Sequence, residues 1–269
     1  MYYENSLTKK EIFIGLGVLI FSLAMAFLFE PFARNGLLKN IRKYELALKV
    51  TNSSEFQYAS ETQVGDVLAY GEMVANEPVS FDELKYRYSL ISKVKERYTM
   101  HQYITCTTTD KVTSCTTHTY YSWDIESFKN VASADFNFLG RKFYFSDLNL
   151  GTQETLKLNK DTMFNIEKVK YDYLYEKNPF WWNIGDFRYY YRITPYKFNC
   201  SVFVRFFDNK TSDPIGSKKI NVFYERKIND ILQEKQKALS LFDWYWFGGF
   251  TILLTGTYLI WAYEYADIE

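Results

Sequence analysis

Residues 103–121 read YITCTTTDKVTSCTTHTYY and hold two of the chain's three cysteines and one of its two histidines. With Asp110 and Lys111 as a two-residue turn, Cys106 falls opposite Cys115 in an antiparallel hairpin. Counting outward from the turn makes that a non-hydrogen-bonded pair, whose Cα atoms approach to about 4.5 Å. This lies close to the separations a disulfide spans. Asp-Lys is a weaker turn pair than the Asn-Gly or Asp-Gly of tight hairpins. The same register sets Tyr98, Met100 and Ile104 with Thr117, Tyr121 and Trp123 on the cysteine face. That face grows apolar toward its base, as a strand entering a core does. His101, Tyr103, His118 and Tyr120 fall on the other face.

This pattern argues against chemistry. The two histidines become diagonal neighbours without a carboxylate between them, a poor metal site, and are expected to be solvated or stacked. A Cys/His nucleophile needs both groups on one face. A zinc site from Cys106, Cys115 and His118 lacks the short Cys spacing and a fourth ligand. Elsewhere no Gly-rich phosphate loop, Gly-x-Ser-x-Gly elbow or His-Glu-x-x-His occurs. Acidic pairs such as Glu61/Asp66 and Asp82/Glu83 read as surface carboxylates. No catalytic, metal or cofactor-binding residue is assigned, and an enzyme is not expected.

Lys plus Arg equals Asp plus Glu at 32 each, so no global charge draws the chain to nucleic acid. Aromatic residues make up 20% of the 269, which suits sheet cores and membrane-interface belts. Residues 12–29, IFIGLGVLIFSLAMAFLF, carry no charge and span roughly 27 Å as a helix, close to a bilayer core. Residues 244–263, WYWFGGFTILLTGTYLIWAY, form a second such run, with Trp244, Tyr245 and Trp246 at one end and Trp261, Tyr263 and Tyr265 at the other. Lys9, Lys10 and the small Ala24-Met25-Ala26 mimic a cleavable signal peptide. Apolarity running on to Phe29 favours an uncleaved anchor.

The expected organisation is a tail (1–11), a transmembrane helix (12–29), a helical stalk (30–50), a β-rich extramembrane domain (51–222), an amphipathic helix (223–243), a second transmembrane helix (244–263) and an acidic tail (264–269). The class is thus a membrane-anchored α+β protein, with an antiparallel β-rich domain between two transmembrane helices. Ile228, Ile231, Leu232 and Leu239 recur at helical spacing. In KFNCSVFVRFF, Phe198, Cys200, Val202, Val204 and Phe206 alternate with polar neighbours and predict a half-buried strand with Cys200 inward. DFRYYYRITPY alternates too, with Pro195 and Tyr196 as the turn joining the pair. DFNFLGRKFYF and GDVLAYGEMVA add further strands.

Two signals disagree about the domain's side of the membrane. Arg34, Lys39, Arg42, Lys43, Lys235 and Lys237 flank the spans on the domain side, against Lys9 and Lys10 on the tails, which favours a cytoplasmic domain. The opposed cysteines favour an oxidising compartment, as do acceptor patterns at Asn52, Asn199 and Asn209. The expectation is a multi-pass integral membrane protein with an extracytoplasmic or lumenal domain.

Four stretches resemble the LUMA family (transmembrane protein 43 type). GDVLAYGEMVANEPVS (65–80) is similar to that family's strand, Gly and Glu-Pro turn. ERYTMHQYI with THTYYSWD resembles its aromatic strand pair ending in Trp. GDFRYYYRITPYKFNCSVFVRF resembles its Gly-Asp strand, turn and Ser-Val strand, and DWYWFGGFTILLTGTYLI its C-terminal membrane region. The likeness covers about two thirds of the chain. This chain has one C-terminal span where LUMA proteins carry several. It also lacks the Cys/His RING of organelle-anchored ubiquitin ligases with a related domain, so ligase activity is not expected. The resemblance implies a lumenal or external domain and a scaffolding role, with no catalytic residues to transfer.

The functional expectation is a membrane-anchored scaffold or interaction protein whose partners are membrane lipid and a membrane protein or a second copy, and not nucleic acid. The alternative is a subunit of a membrane transport or signalling complex with the β domain as sensor. Phe180, Trp181 and Trp182, in NPFWWNIG, are the candidate interaction surface, because three successive aromatics cannot all be buried by a period-two strand. Gly249 and Gly256 are candidate helix-packing positions.

Overall fold

The computed structural model describes residues 9–109, 112–208 and 210–266; the side chains of 9–12, 109, 112, 250 and 261–266 lie outside that description. The Asp110-Lys111 turn, the Asn209 acceptor, residues 1–8 and 267–269 of the tails and the side chains of Trp261, Tyr263 and Tyr265 therefore fall outside the described residues. The chain forms two compact units, one of residues 1–49 with 227–269 and one of residues 50–226.

The first unit is helical. Helix α1 (Lys9–Leu46) runs unbroken through Pro31, absorbing the stalk into the apolar helix. The last stalk residues are instead a short strand, β1 (Leu48–Val50). One 18-residue stretch of α1 has a mean hydropathy of 2.2 and is only 11% buried within the chain. By length and composition this helix can cross a membrane. The C-terminal helix (Ile228–Ala266) is likewise continuous, joining the amphipathic and apolar segments. It begins later than 223, because Phe223 and Tyr224 belong to a strand.

The two helices pack antiparallel. The Trp246 indole donates to the Ala26 carbonyl at 3.0 Å, Phe27 and Phe247 lie 4.8 Å apart, and the Gln236 amide reaches Glu45 at 3.4 Å. Arg34 bridges Glu30 (2.8 Å) and Asp243 (3.5 Å) at the end of the apolar contact.

The second unit begins with α2 (Ser53–Thr62), an element absent from the sequence expectations. Asn52 caps it, its side chain accepting from the Glu55 amide at 2.8 Å, and Gln63 ends it in a left-handed conformation. The strands that follow are β2 (Gly65–Ala75), β3 (Tyr88–Thr109), β4 (Val112–Ala132), β5 (Asp135–Phe138), β6 (Arg141–Tyr144), β7 (Leu148–Asn149), β8 (Glu154–Thr155), β9 (Val169–Lys170), β10 (Tyr173–Tyr175), β11 (Phe187–Pro195), β12 (Lys197–Phe207), β13 (Lys210–Ser212) and β14 (Ile220–Tyr224).

They form two sheets. The first runs β6-β5-β2-β12-β14-β7, with β1 also on β2 and β13 on β12; the β14–β7 pair is parallel. Its core joins Val67, Ala69 and Met73 of β2 to Cys200, Val202 and Val204 of β12, under Phe56 of α2. Phe56 is fully buried and meets Phe138 and Phe206 edge-on at 5.5 and 5.4 Å. Between β5 and β6 the two-residue turn Leu139-Gly140 has φ of 49° and 82°, the left-handed geometry of a tight hairpin.

The strand β12 is buried on both faces, not one. Ser201 and Phe203 are as fully buried as Cys200 and Val202, so alternation understated its burial. The second sheet runs β4-β3-β11-β10-β9, with β8 on β11. One of its faces, with Ile91, Tyr191 and Ile193, packs under Leu84, Leu156, Leu158 and Met163.

Pro195 and Tyr196 do not close a hairpin. The strand β11 pairs with β3 and β12 with β2, so the chain crosses between sheets at this point. Proline lacks the N–H that would continue the ladder, and the register shifts between Thr194 and Pro195.

Candidate functional site

Strands β3 and β4 pair over twenty positions, from Leu90↔Ala132 to Thr109↔Val112. Cys106 lies opposite Cys115, and the two are bonded with Cα atoms 4.0 Å apart. One bulge interrupts the pairing: Glu96 faces Ile125 while Lys95 faces Ser127, leaving Glu126 as the extra residue. Strand β11 accompanies β3 only as far as Arg97↔Phe187. Beyond that point the pair is a two-stranded arm, and the eleven steps from Tyr98 to Thr109 carry it roughly 35 Å.

The arm does not enter a core. Met100, Ile104 and Tyr121 on its cysteine face are exposed, as are Tyr103 and Tyr120 on the other. The apolar gradient toward the base is real, yet it ends in a surface aromatic cluster. Trp123 meets Tyr98 (5.1 Å), Tyr175 (5.8 Å) and Trp182 (5.8 Å), and Trp182 stacks on Tyr175 at 6.0 Å. The Arg188 guanidinium sits over Trp123 at 4.5 Å and Tyr173 at 3.7 Å, while pairing with buried Glu96 at 2.6 Å.

Each histidine stacks on its cross-strand tyrosine: His101 on Tyr120 and His118 on Tyr103, both at 4.9 Å. His101 also bonds Asp124 at 2.6 Å. Hydrogen bonds from Thr99, Ser122 and His101 hold the Asp124 carboxyl below the ordinary range. Among the described residues no three His, Cys, Asp or Glu side chains converge as metal ligands. Cys200 is buried, which pushes its thiol up and away from reactivity.

The 176–186 loop is tied to the base of the arm. The Gly185 amide donates to the Tyr98 carbonyl and the Tyr98 amide to the Asp186 carbonyl, both at 2.9 Å. Buried Asp186 accepts from Lys177 and the Asn183 amide at 2.7 Å each; these bonds, led by Lys177, lower its pKa. So fixed, the loop divides the three aromatics. Trp182 joins the cluster, whereas Phe180 and Trp181 stand 67% and 78% exposed, with Ile184 at 59% beside them. Lys170 covers one side of Phe180 at 4.2 Å.

Gly249 and Gly256 do not pack within the chain: a Cβ at either meets nothing within 4 Å among the described residues. The close approach is made by Gly15, where a Cβ would lie 3.2 Å from the Tyr258 ring.

One cluster escaped the sequence reading. Glu83 accepts from Lys93 and from the Tyr191 hydroxyl at 2.5 Å each, and Lys93 lies over the rings of Phe81, Tyr189 and Tyr191. Burial opposes the Glu83 charge, but the bonds from Lys93 and Tyr191 outweigh it and lower its pKa. Burial, and then the bond to Glu83, push the Tyr191 hydroxyl far up. Glu83 is thus not the plain surface carboxylate expected of the Asp82/Glu83 pair; the available signal was Lys93, two residues from Ile91 and on the same strand face. In comparison with known proteins, no family model, no curated protein and no solved structure matches the chain.

Proposed function

We propose that this chain is a two-span integral membrane protein serving as a membrane-anchored scaffold, with the β-rich unit on the extracytoplasmic or lumenal side. The carrying observation is the pair Phe180 and Trp181, exposed on a loop whose every anchor is satisfied. Exposed aromatics on a rigid platform lose little entropy when a partner covers them, and aromatic residues dominate contact energies. The partner in this reading is a membrane protein or the lipid interface. The LUMA-like scaffolding role belongs to the same proposal.

The second span rests on the apolar run within the C-terminal helix and its antiparallel packing on α1. The extracytoplasmic side rests on the Cys106–Cys115 bond, which oxidising compartments sustain. Gly249 and Gly256, open within the chain, are offered for contact with another helix.

Two measurements test this reading. Thiol labelling in sealed cells should leave Cys106 and Cys115 unlabelled until reductant is added. Labelling without reductant, and only after permeabilisation, would place the unit in the cytoplasm. Proximity labelling from the β-rich unit should lose its neighbours in a Phe180→Ala, Trp181→Ala double variant. Unchanged membrane association and unchanged neighbours would remove the aromatic loop as the contact surface.

A further inference from the structure

The face of β4-β3-β11 opposite the Ile91 core carries an open groove of about 630 Å³, within the usual range for small-molecule sites. Strand register shows what lies on its floor. Asn130, Ser92 and Arg192 sit side by side across β4, β3 and β11. Ala132 and Leu90 flank this polar row on one side, and Phe128, Val94 and Tyr190 on the other. Phe145 and Leu150, which belong to neither strand row, also line the groove. From Leu90 to the level of Ile125 the floor runs six residue steps, roughly 20 Å.

The fold does not use two members of that row. Ser92 is 7% exposed as a residue, and its hydroxyl, open to the groove, makes no hydrogen bond among the described residues. Arg192 makes no ion pair among the described residues. The nearby carboxylates are engaged elsewhere, Glu96 by Arg188 and Glu154 by the Tyr224 hydroxyl. A cation, a hydroxyl and an amide in one line match the donors one carboxylate accepts.

We propose that this groove binds a long-chain fatty-acid anion. The carboxylate pairs with Arg192 and accepts from the Ser92 hydroxyl and the Asn130 amide, and the acyl chain lies on the apolar rows against Phe145 and Leu150. This site is independent of the Phe180–Trp181 surface, and neither reading needs the other.

The test uses the full chain in lipid nanodiscs and a photoactivatable fatty acid carrying a diazirine and an alkyne. The expected labelling maps to β3 and β4 peptides around Val94 and Phe128, and oleate competes while oleyl alcohol does not. Arg192→Glu should lower labelling about tenfold or more, the scale of one charge-assisted bond, and Arg192→Lys should retain part of it. Asn130→Asp, at an exposed position, places a repelling carboxylate in the row and should also lower it. Unchanged hydrogen-exchange protection of β2 and β12 peptides confirms that each variant is folded. Labelling confined to the two long helices, equal competition by oleyl alcohol, or unchanged labelling in both Arg192→Glu and Asn130→Asp would overturn the site. Lysophosphatidate competing below the concentration of oleate would overturn the carboxylate assignment.

Discussion

The arm stands beyond its supporting sheet, so the Cys106–Cys115 bond should matter there and nowhere else. The cysteines are nine residues apart in sequence. Closing a loop of that size lowers the entropy of the open state by about 2.7 kcal/mol at room temperature in the chain-entropy account. A two-stranded ribbon is marginal in water, since each cross-strand pair contributes only about 0.2–1 kcal/mol. The stacked His101–Tyr120 and His118–Tyr103 pairs are of that size, and so is the Thr108–Thr113 hydroxyl contact at 3.0 Å. A double Cys106→Ser, Cys115→Ser variant should therefore fray from the tip while both cores persist. Hydrogen exchange read by mass spectrometry should show protection in peptides covering 99–122 falling by about two orders of magnitude, the equivalent of that free energy. Peptides from β2 and β12 should be unchanged. Equal loss everywhere would mean that the arm folds as one cooperative unit with the sheets. No loss within the arm would mean that aromatic stacking alone holds it, and the reasoning would fail.

Other outcomes follow from the two sheets. Phe56→Ala removes a fully buried ring beneath three other phenylalanines and should cost about 3–5 kcal/mol in denaturant unfolding. Gly140→Ala should cost about 1 kcal/mol, because φ is +82° and the new Cβ would lie 2.6 Å from the Gln57 amide nitrogen. Glu83 has a lowered folded pKa, so its contribution is complete above the unfolded carboxylate value near about 4.3 and is lost as pH falls through the folded one. A Glu83→Gln variant should be less stable at neutral pH, and the difference from the parent should shrink in acid; a difference constant with pH would dismiss the Lys93–Glu83 pairing as a source of stability.

What could be read from sequence follows the range of the signal. The hairpin register came through because two cysteines and a short turn fix opposing residues over a few positions, and period two then extends it. Burial of Cys200 came through for the same local reason. The partner of β11 did not: alternation says that a strand has two faces, but not which strand lies beside it, and DFRYYYRITPY with KFNCSVFVRFF looks like a hairpin until Pro195 sends the chain to another sheet. Nor did the arm's exposure, since an aromatic strand face facing water reads like one facing a core. For Trp181 and Trp182 the sequence could say that they differ in burial, but not which was which. That was decided by Asp186 and Tyr98 pinning the loop. Ser92 and Arg192 meet only because β3 and β11 pair, a contact across a hundred residues that no local pattern announces.

The extra residue at Glu126 has a consequence for solubility. Strand β4 is 21 residues long and lies at the edge of its sheet, so its outer row of backbone donors and acceptors invites a foreign strand. A regular strand docking along it would lose step where Glu126 interrupts the repeat, and would meet a carboxylate already held by Lys95 at 2.7 Å. The bulge thus divides one long adhesive edge into two shorter ones that differ in register. A protein displaying so many aromatic side chains on an open ribbon can in this way remain dispersed instead of stacking edge to edge with its own copies.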